Sequence, residues 1–152
     1  MFGTKRILYP TDFSPYSNQA YFQAVTLAEV HNARLTILYV MNPLATTEGP
    51  SPTDKKYWRE QLEQIRPNNE QIPVDHVLMV GDPGTVISQY AADAGIDMIV
   101  MGTHGRTGQD RLLMGSVAEQ TLRNAPCSVL VVKMRRGQSA PRPAAELVGS
   151  VN

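Results

Sequence analysis

Short apolar runs alternate along the chain with segments whose apolar residues recur at helical spacing. Pro, Gly or Asn lies within three residues of an end of each run, which is typical of short buried strands rather than of long helices. The five predicted strands are Ile7–Tyr9, Arg34–Val40, Val74–Val80, Asp97–Met101 and Val129–Val132. Strands that alternate with helices in this way predict an α/β fold with a parallel sheet.

Four segments between these strands carry helix signals. A capping residue precedes a proline at Ser14-Pro15 and again at Asp82-Pro83, a pattern typical of the first turn of a helix. The segment from Thr53 to Arg66 has a thin apolar face, so we expect this helix to lie on the surface. The last helix follows a glycine-rich stretch, in which the chain's most specific pattern lies.

That stretch connects the fourth strand to the last helix. It contains Gly102, Gly105 and Gly115 followed by Ser116, with the spacing Gly-x2-Gly-x9-Gly-Ser. Glycine lets backbone approach a ligand closely, and the free N–H groups of a first helical turn form an anion site. Ser116 is placed as the N-cap of the helix that follows. The stretch therefore predicts a phosphate-binding loop.

These residues match the nucleotide-binding signature of the universal stress protein family. The segment Lys5–Ser14 resembles that family's opening strand with its acidic end, and Ser128–Lys133 resembles its closing strand. We interpret residues 1–133 as one universal stress protein domain. Residues 134–152 have no hydrophobic period and contain Pro and Gly throughout, so we expect a flexible C-terminal tail there.

The resemblance implies a Rossmann-like (adenine nucleotide alpha hydrolase-like) five-stranded parallel sheet in the order 3-2-1-4-5, flanked by helices. Ligands of such sheets bind beyond the carboxyl ends of the strands where the winding reverses, here between strands 1 and 4. The resemblance also implies ATP as the ligand, with ADP and AMP as alternatives, and Mg²⁺ or Mn²⁺ held through the phosphates. The nucleotide-binding residues that we expect are Pro10, Thr11, Asp12, Val40, Met101, Gly102, His104, Gly105, Arg106, Gly115, Ser116 and Val117.

Within this predicted site, adenine is expected near Asp12 and Val40, and the phosphates along the glycines and Ser116. His104 would face the phosphates, and Arg106 would offset their charge. Ordinary turn or solvent-facing roles remain open for these side chains. Nucleotide binding is expected to order residues 103–114 and so to change the surface offered to an unknown downstream protein partner.

Charge and composition narrow the classes of partner and compartment. The formal net charge is +0 and the pI is about 6.8, which gives no electrostatic reason to expect nucleic acid or an anionic membrane. No apolar run approaches the roughly 18–20 residues that span a bilayer, and the N-terminus lacks a signal-peptide pattern. The single cysteine, Cys127, fits a reducing compartment. We therefore expect a cytoplasmic protein, and the family implies a homodimer through Val129–Val132.

Three functions remain open at this point. The first is a nucleotide-dependent stress-response switch or binding module. The second is a slow ATPase or nucleotidyl-transfer enzyme on the same fold, although no catalytic triad, Walker loop or metal-ligand spacing is recognisable. The third is a family member that keeps the fold without binding nucleotide.

Overall fold

The computed structural model describes residues 3–43, 51–103 and 115–133. Over these residues, five strands alternate with four α-helices, and a short 3₁₀ helix at Pro15–Ser17 follows the first strand. The strands are β1 (Arg6–Thr11), β2 (Arg34–Met41), β3 (Val74–Val80), β4 (Met98–Gly102) and β5 (Ser128–Val132). The helices are α1 (Asn18–His31), α2 (Pro52–Glu63), α3 (Pro83–Asp93) and α4 (Ser116–Asn124).

All four strand pairs of the sheet are parallel, and the strand order is β3-β2-β1-β4-β5. The order expected from the family resemblance is therefore confirmed, as is the α/β class. The winding reverses between β1 and β4. This junction is fastened at its amino end by Asp97, whose Oδ2 accepts hydrogen bonds from the backbone N–H groups of Lys5 at 2.8 Å and Arg6 at 2.9 Å.

The sheet separates two hydrophobic cores, because successive side chains of a strand point to opposite faces. Ile7 and Tyr9 of β1 belong to the core covered by α1 and α2, and Leu8 belongs to the core covered by α3 and α4. All three side chains are fully buried. Helix α2 buries only Leu62 among its residues, so the predicted surface helix is confirmed.

Pro10 explains why β1 and β4 separate. The sequence pattern ends the first strand before Pro10, but β1 continues to Thr11 along its ladder with β2. The Arg6 carbonyl accepts from the Asp97 N–H on the β4 side, and alternation turns Leu8 and Pro10 to that same side. Pro10 has no N–H to donate there, and the β1–β4 register ends at Leu8. The two strands are thus free to part beyond Leu8.

Several predictions fall outside the described residues: the flexible tail over 134–152, and His104, Gly105 and Arg106 of the glycine stretch. In the part of the chain that is described, no helix is long and apolar enough to cross a membrane. Within the same ranges, no three His, Cys, Asp or Glu side chains are grouped as a metal site would need.

Candidate functional site

A cavity of about 430 Å³ opens where β1 and β4 part, at the carboxyl ends of the strands. Its volume lies in the range of small-molecule sites. Three helices reach it: the 3₁₀ helix through Ser17, α3 through Pro83 and Ile87, and α4 through its first residues. The segments that follow β1, β2 and β4 contribute Asp12, Asn42 and Thr103. The position is the one that the winding of the sheet predicts for a ligand.

The turn after β1 brings two polar side chains to the cavity. The Asp12 Oδ1 accepts a hydrogen bond from the Ser14 N–H at 2.9 Å, and the Thr11 Oγ1 accepts one from the Phe13 N–H at 3.0 Å. Thr11 and Asp12 both line the cavity, and Asp12 is half-buried. Two cavity-lining side chains are therefore tied to the backbone of their own turn.

The buried Tyr9 side chain is hydrogen-bonded to the 3₁₀ helix that follows this turn. Its hydroxyl lies 3.0 Å from the Oγ and 3.1 Å from the carbonyl oxygen of Ser17, and the Ser17 hydroxyl in turn donates to the Ser14 carbonyl at 2.9 Å. Burial raises the pKa of Tyr9 to about 12, although its hydrogen bonds to Ser17 and Thr11 oppose the shift. The neutral phenol therefore persists at neutral pH and can hold the 3₁₀ helix against β1.

The start of α4 differs from the sequence prediction. Gly115, with φ −64° and ψ 155°, is the N-cap, and Ser116 is the first helical residue, so the prediction of Ser116 as N-cap was wrong. Glycine is accepted at an N-cap, and the Gly115 N–H is fixed by a short hydrogen bond of 2.6 Å to the Thr103 carbonyl. Because Gly115 has no side chain to accept from the first turn, the cap leaves that role open to a ligand.

Nine of the twelve predicted nucleotide-binding residues line this single cavity, although they come from four separate parts of the chain. They are Pro10, Thr11, Asp12, Val40, Met101, Gly102, Gly115, Ser116 and Val117. The other three, His104, Gly105 and Arg106, lie outside the described residues. The structure thus brings the described members together, and their contact with a nucleotide stays a prediction.

The cavity also has walls that the sequence analysis missed. These residues are Ser17, Leu38, Tyr39, Asn42, Pro83, Ile87, Thr103 and Ala118. Asn42 and Thr103 directly follow β2 and β4, so the rule that singled out Asp12 after β1 could have found them too. Pro83 follows β3 across a short turn and could have been found in the same way. Leu38 and Ile87 carry only an apolar signal that cannot be told from core packing.

The walls combine a polar rim with apolar faces. Among the described lining residues, Asp12 has the only side chain with a formal charge, and helices α3 and α4 both begin at the cavity. The N-terminus of a helix carries a partial positive charge and favours anions. Apolar side chains such as Leu38, Val40 and Met101 lie on the remaining sides. This lining suits a ligand that combines an apolar face with hydrogen-bond donors and an anionic group.

Comparison with known proteins adds independent evidence on ancestry. A model of the universal stress protein family matches residues 3–133. Universal stress protein MJ0531 of Methanocaldococcus jannaschii is 33% identical over 139 residues, a match that covers 85% of this chain and 82% of that protein.

Solved structures agree with this assignment. The universal stress protein UspA from Lactobacillus plantarum is similar at 26% identity with a TM-score of 0.71, covering 86% of this chain and 99% of that one. A universal stress protein from Archaeoglobus fulgidus, solved in complex with dAMP, shares the fold at 18% identity and a TM-score of 0.66, covering 88% of this chain and 100% of that one. On the sequence match and the shared sheet topology together, this chain belongs to the universal stress protein family.

Proposed function

We propose that this protein binds an adenine nucleotide in the cavity between β1 and β4 and acts as a nucleotide-dependent switch or binding module in a stress response. The observation that carries the proposal is the meeting of Asp12 and the glycine-capped start of α4 in one cavity at the switch point of the sheet. A carboxylate accepts hydrogen bonds from ribose hydroxyls or an exocyclic amine, and a helix start favours phosphate.

The nucleotide would lie with its adenine near Asp12 and Val40 and its phosphates at Gly115, Ser116 and Val117. The apolar side chains of Leu38 and Ile87 suit the faces of a base, and Gly115 lets a phosphate come close to backbone. The universal stress protein from Archaeoglobus fulgidus, which has the same fold, was solved in complex with dAMP. That complex supports an adenine nucleotide as the ligand class that we propose here. We propose ATP as the ligand, with Mg²⁺ or Mn²⁺ held mainly by the phosphates and water, as such ions commonly are.

The assembly that we propose is a homodimer through β5 in the cytoplasm. Strand β5 is an edge strand of the sheet, and Leu130 on it and Leu122 on α4 are 37% and 43% exposed. An exposed apolar edge is favourable to pairing with a second chain. Sedimentation velocity measures the mass in solution, and a monomer at micromolar concentration would contradict this part of the proposal.

The experiment that tests the function compares two valine variants by titration calorimetry with ATP and Mg²⁺. Gly115→Val places a branched side chain where a phosphate must approach, and the φ of −64° accepts that side chain without backbone strain. We expect the affinity to fall at least about tenfold, or ~1.4 kcal/mol. The matched control is Gly3→Val at the far end of β1, where an added Cβ meets only the Lys5 side chain at 3.5 Å.

Four outcomes separate the candidates. ATP binding that survives in Gly3→Val and is lost in Gly115→Val supports the site. Equal affinity in both variants refutes the placement of the phosphates, and absence of binding to the unmodified protein favours a structural family member. Single-turnover release of ADP from bound ATP on a cellular timescale would favour the enzymatic alternative.

A further inference from the structure

Three aromatic rings form a cluster beside the cavity. The ring of Phe13 meets Tyr39 edge-on, with centroids 4.7 Å apart, and lies 5.0 Å from the ring of Trp58. Tyr39 and Trp58 complete the triangle at 5.3 Å. Trp58 belongs to α2, Tyr39 to β2, and Phe13 to the turn after β1. The cluster therefore joins the surface helix to the residues that border the cavity.

The backbone at Phe13 has a conformation that its own side chain disfavours. Its φ is 62°, in the left-handed region where a residue with a Cβ is strained. The neighbouring hydrogen bonds require this turn, since the Phe13 N–H donates to the Thr11 Oγ1 and the Ser14 N–H donates to the Asp12 Oδ1. Relaxation of Phe13 to a negative φ would turn the Ser14 N–H away from the Asp12 Oδ1 and break that bond, while the Phe13 N–H is the donor that holds the Thr11 Oγ1 in the same turn.

The two acceptors of these bonds are Thr11 and Asp12, which line the cavity. We propose that Phe13, held by the rings of Tyr39 and Trp58, is a positioning residue that orients the Asp12 carboxylate and the Thr11 hydroxyl toward a bound ligand. The proposal rests on the proposed function for the ligand's identity. The proposal also accounts for the positive φ of Phe13, because backbone strain beside a site commonly persists only where surrounding contacts maintain it.

Glycine and alanine at position 13 distinguish positioning from simple packing. Alanine removes the ring but keeps a Cβ. The turn then loses the ring contacts with Tyr39 and Trp58, while the positive φ remains strained. Glycine removes the ring as well, but it adopts positive φ about as readily as negative φ. If Phe13 served only to fill space, glycine would bind ligand no better than alanine.

The experiment is titration calorimetry with ATP and Mg²⁺ on the full chain and on the variants Phe13→Ala, Phe13→Gly and Phe22→Ala. Because affinity scales with the population of the competent turn, we expect a loss of roughly five- to thirtyfold for alanine and only about twofold for glycine. Phe22, a 42% exposed phenylalanine on α1, is the matched control and should leave the affinity unchanged. Equal losses for alanine and glycine, or no loss for alanine, would overturn the proposal.

A second readout needs no ligand and so separates this proposal from the proposed function. Trp58 is the chain's single tryptophan, and its fluorescence reports on the cluster. Asp12→Ala removes the acceptor of the Ser14 N–H, whereas Asp12→Asn retains a side-chain oxygen in its place. We expect the emission maximum of Trp58 to shift to longer wavelength in Asp12→Ala and to remain unchanged in Asp12→Asn. An unshifted alanine variant overturns the positioning role, whereas failure of the unmodified protein to bind ATP refutes only the proposed function.

Discussion

A methyl group added at Gly84 is expected to push α3 and α4 apart. Gly84 is buried in the first turn of α3, and a Cβ built there would collide with Oε1 and Cδ of Gln120 and lie 3.1 Å from its Cγ. The φ of Gly84 is outside the left-handed region, so the collision and not backbone strain decides the effect. Both helices contribute walls to the cavity, so their spacing sets its width.

The magnitude follows from two opposing terms. Overpacking of a close contact costs about 1–3 kcal/mol, whereas alanine is favoured over glycine within a helix by up to about 1 kcal/mol. Gln120 is half-buried, so its carboxamide can turn toward solvent and reduce the first term. We expect Gly84→Ala to lower the free energy of unfolding by about 1 kcal/mol and the Tm by roughly 2–8 °C.

The assay is urea denaturation of a double-mutant cycle built from Gly84→Ala and Gln120→Ala. In the Gln120→Ala background the collision is gone, so Gly84→Ala should become neutral or stabilising, with a coupling of about 0.5–3 kcal/mol. The same loss in both backgrounds would refute the assignment of the collision to Gln120. No loss in the unmodified background would show that the side chain moves away at negligible cost.

Two further predictions concern pH and the end of α3. Burial raises the pKa of Tyr9 from 10.0 to about 12. The contribution of this shift to stability is therefore fully present below pH 10 and is lost as the pH rises through 12. We expect the urea midpoint to fall over this pH window, and to fall less steeply in Tyr9→Phe. Gly95 has φ 65° with open space around it, so Gly95→Ala should cost about 1–2 kcal/mol in thermal denaturation. Gly95→Asn should cost less, and equal losses for the two would contradict backbone strain as the cause.

The elements that the sequence predicts best are those with two independent signals. Helix α3 has an acidic cap followed by proline, and the structure shows the Asp82 side chain accepting from the Thr85 N–H. Apolar character without a second signal is less reliable: Val30 of α1 is 70% exposed, because it follows Ala28 by two residues and so lies about 200° around the helix from the buried alanines. The strand order came from the family resemblance, since strand periodicity carries no information on which strands are neighbours.

Features of the candidate site that depend on three-dimensional context could not be found in this way. In a sequence, a proline such as Pro10 indicates the end of a strand. Only the pairing of β1 shows that the N–H that Pro10 lacks would face β4, so the hydrogen bonds between β1 and β2 are not interrupted. Phenylalanine gives no hint of positive φ, so the turn at Phe13 was invisible. The N-cap of α4 is Gly115 and not Ser116, one position before the predicted one. Because both glycine and serine are accepted at an N-cap, capping preferences cannot decide between these two positions.

The junction that Asp97 fastens has a consequence for the newly made chain. Its carboxylate binds the N–H groups of Lys5 and Arg6, which lie 92 and 91 residues earlier. During synthesis β1, β2 and β3 leave the ribosome long before β4 and α4, and domains generally fold as units. A nascent chain that ends before Asp97 has one wall of the cavity but not the other. We therefore expect the proposed ligand site to form only in the completed domain, so that truncated translation products would not compete for the same small molecule.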